Sequence, residues 1–364
     1  MATYGRDRWL FTTELGLQAR SFFLQQKRPP TRAASFLVNA DERMDRDMVR
    51  WGILGCGVIA ARMATVLRAE PEAEIAAVAA RDAARAQAFA EQTGAARAYG
   101  SYEALAADKE IDAVYVATIH PTHAALIDMC LRTGKAVLCE KPLTMSSQEA
   151  ARLYALAEAR GVPLMEAMWT RYLPAWRKAR ELADAGVIGE LRSMDADFSG
   201  YIPYDPASRM YNPTLGGGCL WDLGVYCSHV ILHMFGLEYE ELQAMGRLTR
   251  DGVDSAARVT LRYPDGKMAG FTCACDQMGS GAARVFGTGG WLELPQLWDA
   301  RQVTVHKPDG SVQTYDFPHA DGFIYEVQRF HRLLGGEPIL PGEPAPADTL
   351  TALRMLEEAL AKLQ

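Results

Sequence analysis

The chain has no paired Cys-x-x-Cys spacing, no uninterrupted apolar run near the ~20 residues of a membrane-spanning helix, and no excess of basic residues; each absence removes a class of function. The seven cysteines, Cys56, Cys130, Cys139, Cys219, Cys227, Cys273 and Cys275, are odd in number and scattered. They read as reduced, mostly buried thiols of a cytoplasmic protein. Cys273-x-Cys275 alternates along an expected strand and reads as core packing, so no metal site is expected there. With 38 Lys and Arg against 45 Asp and Glu, the formal charge is -7. No basic stripe appears, which leaves a nucleic acid without its main source of affinity. What is present, 49% hydrophobic and 23% charged residues over 364 positions, suits a soluble globular chain of two domains.

Residues 1–48 precede the first recognisable strand, lack the apolar segment of a secretory signal and contain Pro29-Pro30. They read as a disordered arm or an upstream start, with Met44 or Met48 a natural beginning. From Val49 the pattern is strand, glycine turn, helix. Gly55-Cys56-Gly57-Val58-Ile59-Ala60 is G-x-G-x-x-A in the context that gives it meaning. Gly55 permits the tight turn, Gly57 lets a pyrophosphate approach the backbone, Ala60 allows close packing of helix on strand, and the helix start at Val58 and Ile59 offers its N–H groups to phosphate.

The second strand ends at Arg81-Asp82, where the adenosine ribose is expected. An acidic residue there pairs with a free 2′-hydroxyl, whereas arginine accommodates a 2′-phosphate. Arg81, with Arg85 one turn on, favours NADP over NAD, and Asp82 can cap the helix at the same time. A further buried strand, Ala113–Ala117, leads to Thr118, His120 and His123. Strand ends in such sheets face the ligand crevice, so either histidine touches nicotinamide or substrate, or else caps the following helix. The strand 136–139 delivers Glu140-Lys141-Pro142 to the same edge. An ammonium there can hydrogen-bond a substrate hydroxyl as an alkoxide develops.

Alternating strands and helices over 49–168 predict an α/β, doubly wound parallel sheet of Rossmann type. Residues 169–364 are strand-rich and predict an α+β substrate and dimerisation domain built on a large open, mostly antiparallel sheet. Within it, Gly216-Gly217-Gly218 precedes a helix carrying Asp222 and Tyr226 four residues apart on one face. The glycines are expected to let the backbone approach cofactor or substrate. His229 and His233 continue the stripe, but three turns span roughly 16 Å, too far for one metal ion to gather all four. A phenol is a poor base near neutrality, with a reference pKa of ~10; Lys141 nearby is expected to favour the phenolate, so that Tyr226 takes the proton, Lys141 holds the oxygen and Asp222 orients substrate or Tyr226.

Taken together, these motifs with Glu166-Ala167-Met168-Trp169-Thr170-Arg171 resemble the glucose-fructose oxidoreductase/inositol dehydrogenase family, over about Val49 to the C-terminus. Within it they are most similar to the dimeric dihydrodiol dehydrogenases and NADP-dependent D-xylose dehydrogenases. The resemblance implies catalytic Lys141 and Tyr226, NADP as cofactor, and a homodimer formed through the open sheet. It also implies an aromatic wall drawn from Trp169, Phe198 and Trp298, with Arg171 a hydroxyl or carboxylate contact. The substrate is then a polyol, sugar or cyclic diol, with no nucleic acid or membrane partner. Two rivals remain: a non-catalytic dinucleotide-binding regulator, which needs neither Lys141 nor Tyr226, and an NAD-dependent glycoside hydrolase of the same fold, against which Arg81 speaks.

Overall fold

The computed structural model describes residues 48–363; the extension 1–47 and Gln364 lie outside them. Six parallel strands form the first sheet: β1 (Val49–Leu54), β2 (Ala73–Ala79), β3 (Arg97–Tyr99), β4 (Ala113–Val116), β5 (Ala136–Glu140) and β6 (Leu164–Ala167). Their order, β3-β2-β1-β4-β5-β6, reverses between β1 and β4, the position where such sheets bind ligands. β4, β5 and β6 are buried at every residue, as helices on both faces require. The covering helices are α1 (Val58–Ala69), α2 (Ala83–Thr93), α3 (Tyr102–Ala107), α4 (His123–Arg132) and α5 (Ser147–Arg160). Asp82, Ser101 and Ser146 cap three of them by accepting from the backbone N–H three residues on.

The second sheet has eight strands among the described residues: β7 (Leu191–Ser199), β8 (Glu241–Leu248), β9 (Asp254–Arg262), β10 (Met268–Ala274), β11 (Ala283–Gly287), β12 (Gly290–Leu294), β13 (Gln302–His306) and β14 (Val312–Asp316). They run β14-β13-β12-β11-β7-β10-β9-β8, and every pairing is antiparallel except β7 with β10. The edge strand β14 is not anticipated by sequence: Val312–Asp316 is almost wholly exposed and carries no apolar alternation. Along β9, Val259 and Leu261 point inward while Arg258, Thr260 and Arg262 face out.

Of four further helices, α6 (Pro174–Asp184), α7 (Val225–Phe235), α8 (Phe323–Leu334) and α9 (Pro346–Leu363), all but α8 pack on this sheet, and α8 packs on α1. All of α7 is buried. The stretch Pro213–Phe235 is long and apolar enough to cross a membrane by composition, yet it is 78% buried inside the fold, which makes it a core helix. A wide π turn, Leu220–Gly224, leads into α7. Cross-links join the sheets: Arg62 on α1 forks onto Asp321 at 2.8 Å twice, and Glu166 meets His229 at 3.0 Å and Thr349 at 2.7 Å.

Candidate active site

A cavity of about 790 Å³ opens at the carboxyl ends of β1, β2, β4 and β5 and is closed from the other side by Phe198, Arg209, Asp222, Leu223 and Tyr226. Gly55, Gly57, Val58 and Ile59 form one wall. Gly55 has φ +102°, and a Cβ there would lie 2.4 Å from the Ala117 carbonyl oxygen. No other residue fits that turn without moving β4. A Cβ at Gly57 would meet no protein atom within 4 Å, so this glycine borders open cavity. Ala60 is fully buried behind it. The helix start beside Gly57 has no side-chain cap, leaving its N–H groups available to a pyrophosphate. These residues fit a bound dinucleotide.

At the far end Arg81, Asp82, Arg85 and Tyr102 line the cavity. Arg85 donates to the Cys56 carbonyl at 3.1 Å, while Asp82 accepts from the Arg85 backbone at 2.7 Å, so capping and an arginine at the rim coexist. Tyr102, at the start of α3, was not singled out on sequence.

The near end is organised by Asp222. Its Oδ1 accepts from Lys141 Nζ at 2.9 Å and its Oδ2 from Arg209 Nη2 at 2.8 Å; Lys141 also donates to the Asp222 carbonyl at 2.8 Å. Burial alone would raise the Asp222 carboxyl, but Lys141 and then Arg209 outweigh it and hold it far below the usual carboxylate range. Burial likewise opposes the Lys141 ammonium, and Asp222, with Tyr226 and Glu140 adding to it, outweighs burial and holds it above its ordinary value. Asp222 therefore orients Lys141 rather than substrate or Tyr226. Arg209 lies in the irregular connection after β7, thirteen residues before Asp222, where no periodicity ties it to the helix. Sequence reasoning missed it for that reason.

Lys141 Nζ sits 4.7 Å from the Tyr226 ring centroid. The expected phenolate does not follow: burial raises the Tyr226 pKa above its ordinary value, and the opposing pull of Lys141 does not overcome it. Tyr226 is a neutral phenol here, its oxygen accepting from Trp169 Nε1 at 3.3 Å. Glu140 also borders the cavity, accepts from Tyr115, and has a carboxyl raised by burial.

The remaining sequence candidates divide. Thr118 and His120 line the cavity. His123 does not: it is fully buried, its ring spent on the carbonyls of Pro142 at 3.0 Å and Thr118 at 3.2 Å. Phe198 faces the cavity and stands edge-on to Tyr226 at 5.2 Å, with Trp298 stacked on it at 4.1 Å and 10°. Trp298 and Trp169 thus back the aromatic wall instead of lining it. Arg171 is no substrate contact; it is buried against Asp348 at 3.0 Å and the His229 carbonyl at 3.3 Å, pinning α7 to α9. The three glycines approach protein, not ligand. A Cβ at Gly216 would lie 2.8 Å from Pro121, one at Gly217 2.7 Å from the Met210 carbonyl, and one at Gly218 2.2 Å from Asp254.

Among the described residues one cluster outside the cavity, Glu70, Glu72 and His331, gathers potential metal-ligand atoms within 4.8 Å. His331 Nε2 accepts from Trp51 Nε1 at 3.1 Å, so a neutral ring carries its proton on Nδ1, the atom facing the carboxylates. That arrangement suits a hydrogen-bonded cluster better than an ion.

Residues 49–168 match the family described as oxidoreductase family, NAD-binding Rossmann fold, and residues 176–293 match the GFO/IDH/MocA C-terminal domain. The chain is 37% identical to a trans-1,2-dihydrobenzene-1,2-diol dehydrogenase of Mus musculus, covering 85% of this chain and 96% of that one. Identity to the protein of that name from Macaca fascicularis is 41%, over 79% and 88%. A 3-ketoreductase from Actinomadura kijaniata, solved with NADP and TDP-benzene, superposes with a TM-score of 0.80 at 30% identity, covering 87% of this chain and 98% of that one. An aldose-aldose oxidoreductase from Caulobacter crescentus shares the fold, with a TM-score of 0.78 at 23% identity. The chain belongs to the GFO/IDH/MocA family of NAD(P)-binding oxidoreductases.

Proposed function

We propose that the protein is an NADP-dependent dehydrogenase that interconverts a CH–OH group and a carbonyl on a trans-dihydrodiol or an aldose. The observation that carries this reading is the convergence of Lys141, Asp222 and Tyr226 on the cavity whose opposite wall is the G-x-G-x-x-A turn. Arg81 and Arg85 at the far end support NADP, as does the relative solved with that cofactor. The names of the mammalian relatives support a cyclic diol.

The dinucleotide, when bound, supplies the two-electron redox chemistry. Lys141 donates a hydrogen bond to the reacting oxygen and stabilises negative charge as it develops there. Asp222 keeps the ammonium charged and aimed. Tyr226 exchanges the proton: as a neutral phenol it is poised to give one to a carbonyl oxygen, and in the oxidative direction it takes the carbinol proton as the phenolate, having first released its own proton to solvent, a loss that Lys141 favours. Phe198 offers an apolar face to the ring of a cyclic substrate. The outward face of the eight-stranded sheet is the surface assigned to a homodimer, and seven free thiols support a reducing cytoplasm.

The test is a panel of trans-dihydrodiols, aldoses and polyols with NADP or NAD, followed by the near-ultraviolet absorbance of the reduced nicotinamide. Lys141→Met is expected to abolish turnover while NADP binding, read by calorimetry, persists. Unaltered kcat in that variant, or no turnover of any alcohol by the native enzyme, refutes the proposal.

A further inference from the structure

His120 and Arg209 stand beside the Lys141–Asp222 pair, and the chemistry described so far uses neither toward a ligand. The His120 ring has a fixed tautomer. Its Nδ1 lies 3.2 Å from the Gly216 carbonyl oxygen, an acceptor only, so Nδ1 carries the proton and Nε2 presents a lone pair. Burial, with Lys141 adding to it, lowers the His120 pKa to about 3, so the ring is neutral at any working pH. Gly216 makes this contact possible, because a Cβ there would lie 3.0 Å from that of His120.

The Nε2 lone pair looks toward two groups. One is the Asp222 Oδ1, at 3.9 Å: two acceptors facing each other with no proton between them. The other is Arg209 Nη1 at 3.5 Å, a donor too distant for a good hydrogen bond. Arg209 is anchored through Nη2 on Asp222, and its side chain is 43% exposed. An acceptor and a cationic donor held slightly too far apart are together satisfied by one group that both donates and accepts. A hydroxyl is such a group.

Position selects which hydroxyl. Lys141 Nζ and His120 Nε2 lie 2.9 and 3.9 Å from the same Asp222 oxygen, so the Arg209–His120 gap is one substituent away from where Lys141 would hold the reacting oxygen. We infer that Arg209 and His120 form a reading site for a second hydroxyl on the carbon next to the reacting carbinol, which makes the enzyme selective for vicinal diols. The second hydroxyl accepts from Arg209 Nη1 and donates to His120 Nε2. This rests on the proposed dehydrogenase chemistry at Lys141 and Tyr226 and deepens it. A simple alcohol or a carbohydrate deoxygenated at the neighbouring carbon leaves His120 Nε2 and Arg209 Nη1 only their long 3.5 Å contact with each other, and a site built to hydrogen-bond a hydroxyl discriminates against the analogue that lacks it.

The experiment compares kcat/KM for trans-cyclohexane-1,2-diol and cyclohexanol with NADP, in the native enzyme and in Arg209→Met, His120→Phe and the double variant. The native enzyme is expected to favour the diol by about 10²-fold or more. Arg209→Met also loosens Asp222 and lowers turnover of both alcohols, so the readout is the diol-to-alcohol ratio. Each single variant is expected to reduce that ratio at least about tenfold, with the loss appearing mainly in KM, and the double variant to reduce it little further, because one hydroxyl serves both groups. Equal kcat/KM for the two alcohols in the native enzyme, or a ratio unchanged in either single variant, overturns the inference while leaving the dehydrogenase reading intact. Turnover of neither alcohol nor of any other in the panel overturns both.

Discussion

Replacing Asp222 with Asn tests the electrostatic arrangement most directly. The change keeps shape and removes one charge from a buried group that two cations share at 2.9 and 2.8 Å. Breaking a buried pair by deleting one partner costs about 3–5 kcal/mol, because the surviving charges are left uncompensated. Arg209 is partly exposed and recovers some hydration, while Lys141, with a side chain only 11% exposed, recovers little. A loss of about 3 kcal/mol is therefore expected at neutral pH. The sign with pH follows from linkage. In the native protein the folded-state Lys141 pKa is raised, so its contribution is fully present below the ordinary lysine value and is lost as pH rises through the folded value. In Asp222→Asn, burial and Arg209 instead favour the neutral amine, and the folded variant sheds its proton first. Its deficit should therefore shrink as pH rises toward about 10. Urea unfolding of both proteins at several pH values between neutral and about 10 measures this. A deficit below about 1 kcal/mol at neutral pH, or one that stays constant into the alkaline range, would refute the reasoning.

Tyr226→Phe should lower kcat by about 10²–10⁴ with little change in NADP affinity, and activity within a few-fold of native would remove Tyr226 from proton transfer. Arg81→Asp should lower the NADP-to-NAD ratio of kcat/KM by about 10²-fold, the worth of one or two charge-assisted hydrogen bonds; a preserved ratio would place the 2′-phosphate elsewhere. Burial lowers His120 and His233 from an ordinary 6.5 to about 3 each, so the unfolded chain binds more protons between those values and stability falls as pH drops through that window. By about pH 4.5 the two together should cost roughly 5 kcal/mol, and a flat stability profile from neutral to that pH would contradict the buried, neutral assignment.

The nucleotide half is legible because its signals are local. Gly55 and Asp82 each answer a backbone demand that only a few residue types meet, Gly57 leaves open space beside the helix start, and the buried strands read as continuous apolar runs. The second sheet is legible wherever one face is buried and the other wet, which is why β9 is readable and the edge strand β14 is not. At the site, spacing found Asp222 and Tyr226, since helix geometry fixes neighbours four apart. It failed for Arg209, which reaches Asp222 from an irregular connection, and misjudged Arg171 and His123, whose polar atoms are spent on partners far away in sequence. The ionisation of Tyr226 was misread for a different reason. Proximity to a cation can be argued from motifs, but the desolvation opposing it depends on the packing of Phe198 and Trp169 around the ring.

The wide turn at Leu220–Gly224 gives this stretch an unusual tolerance profile. Lys141 is gripped there by both the carboxylate and the main-chain oxygen of Asp222, so the grip depends on the angular phase of the helix as much as on side-chain chemistry. Removing a single residue would restore regular winding and leave the flanking turns in phase, so the change would fall on the turn itself and move Asp222 off the ammonium, even with every remaining side chain unaltered. Segment length is thus as protected a quantity here as any catalytic group, and a one-codon deletion should do more harm than most substitutions at Leu223.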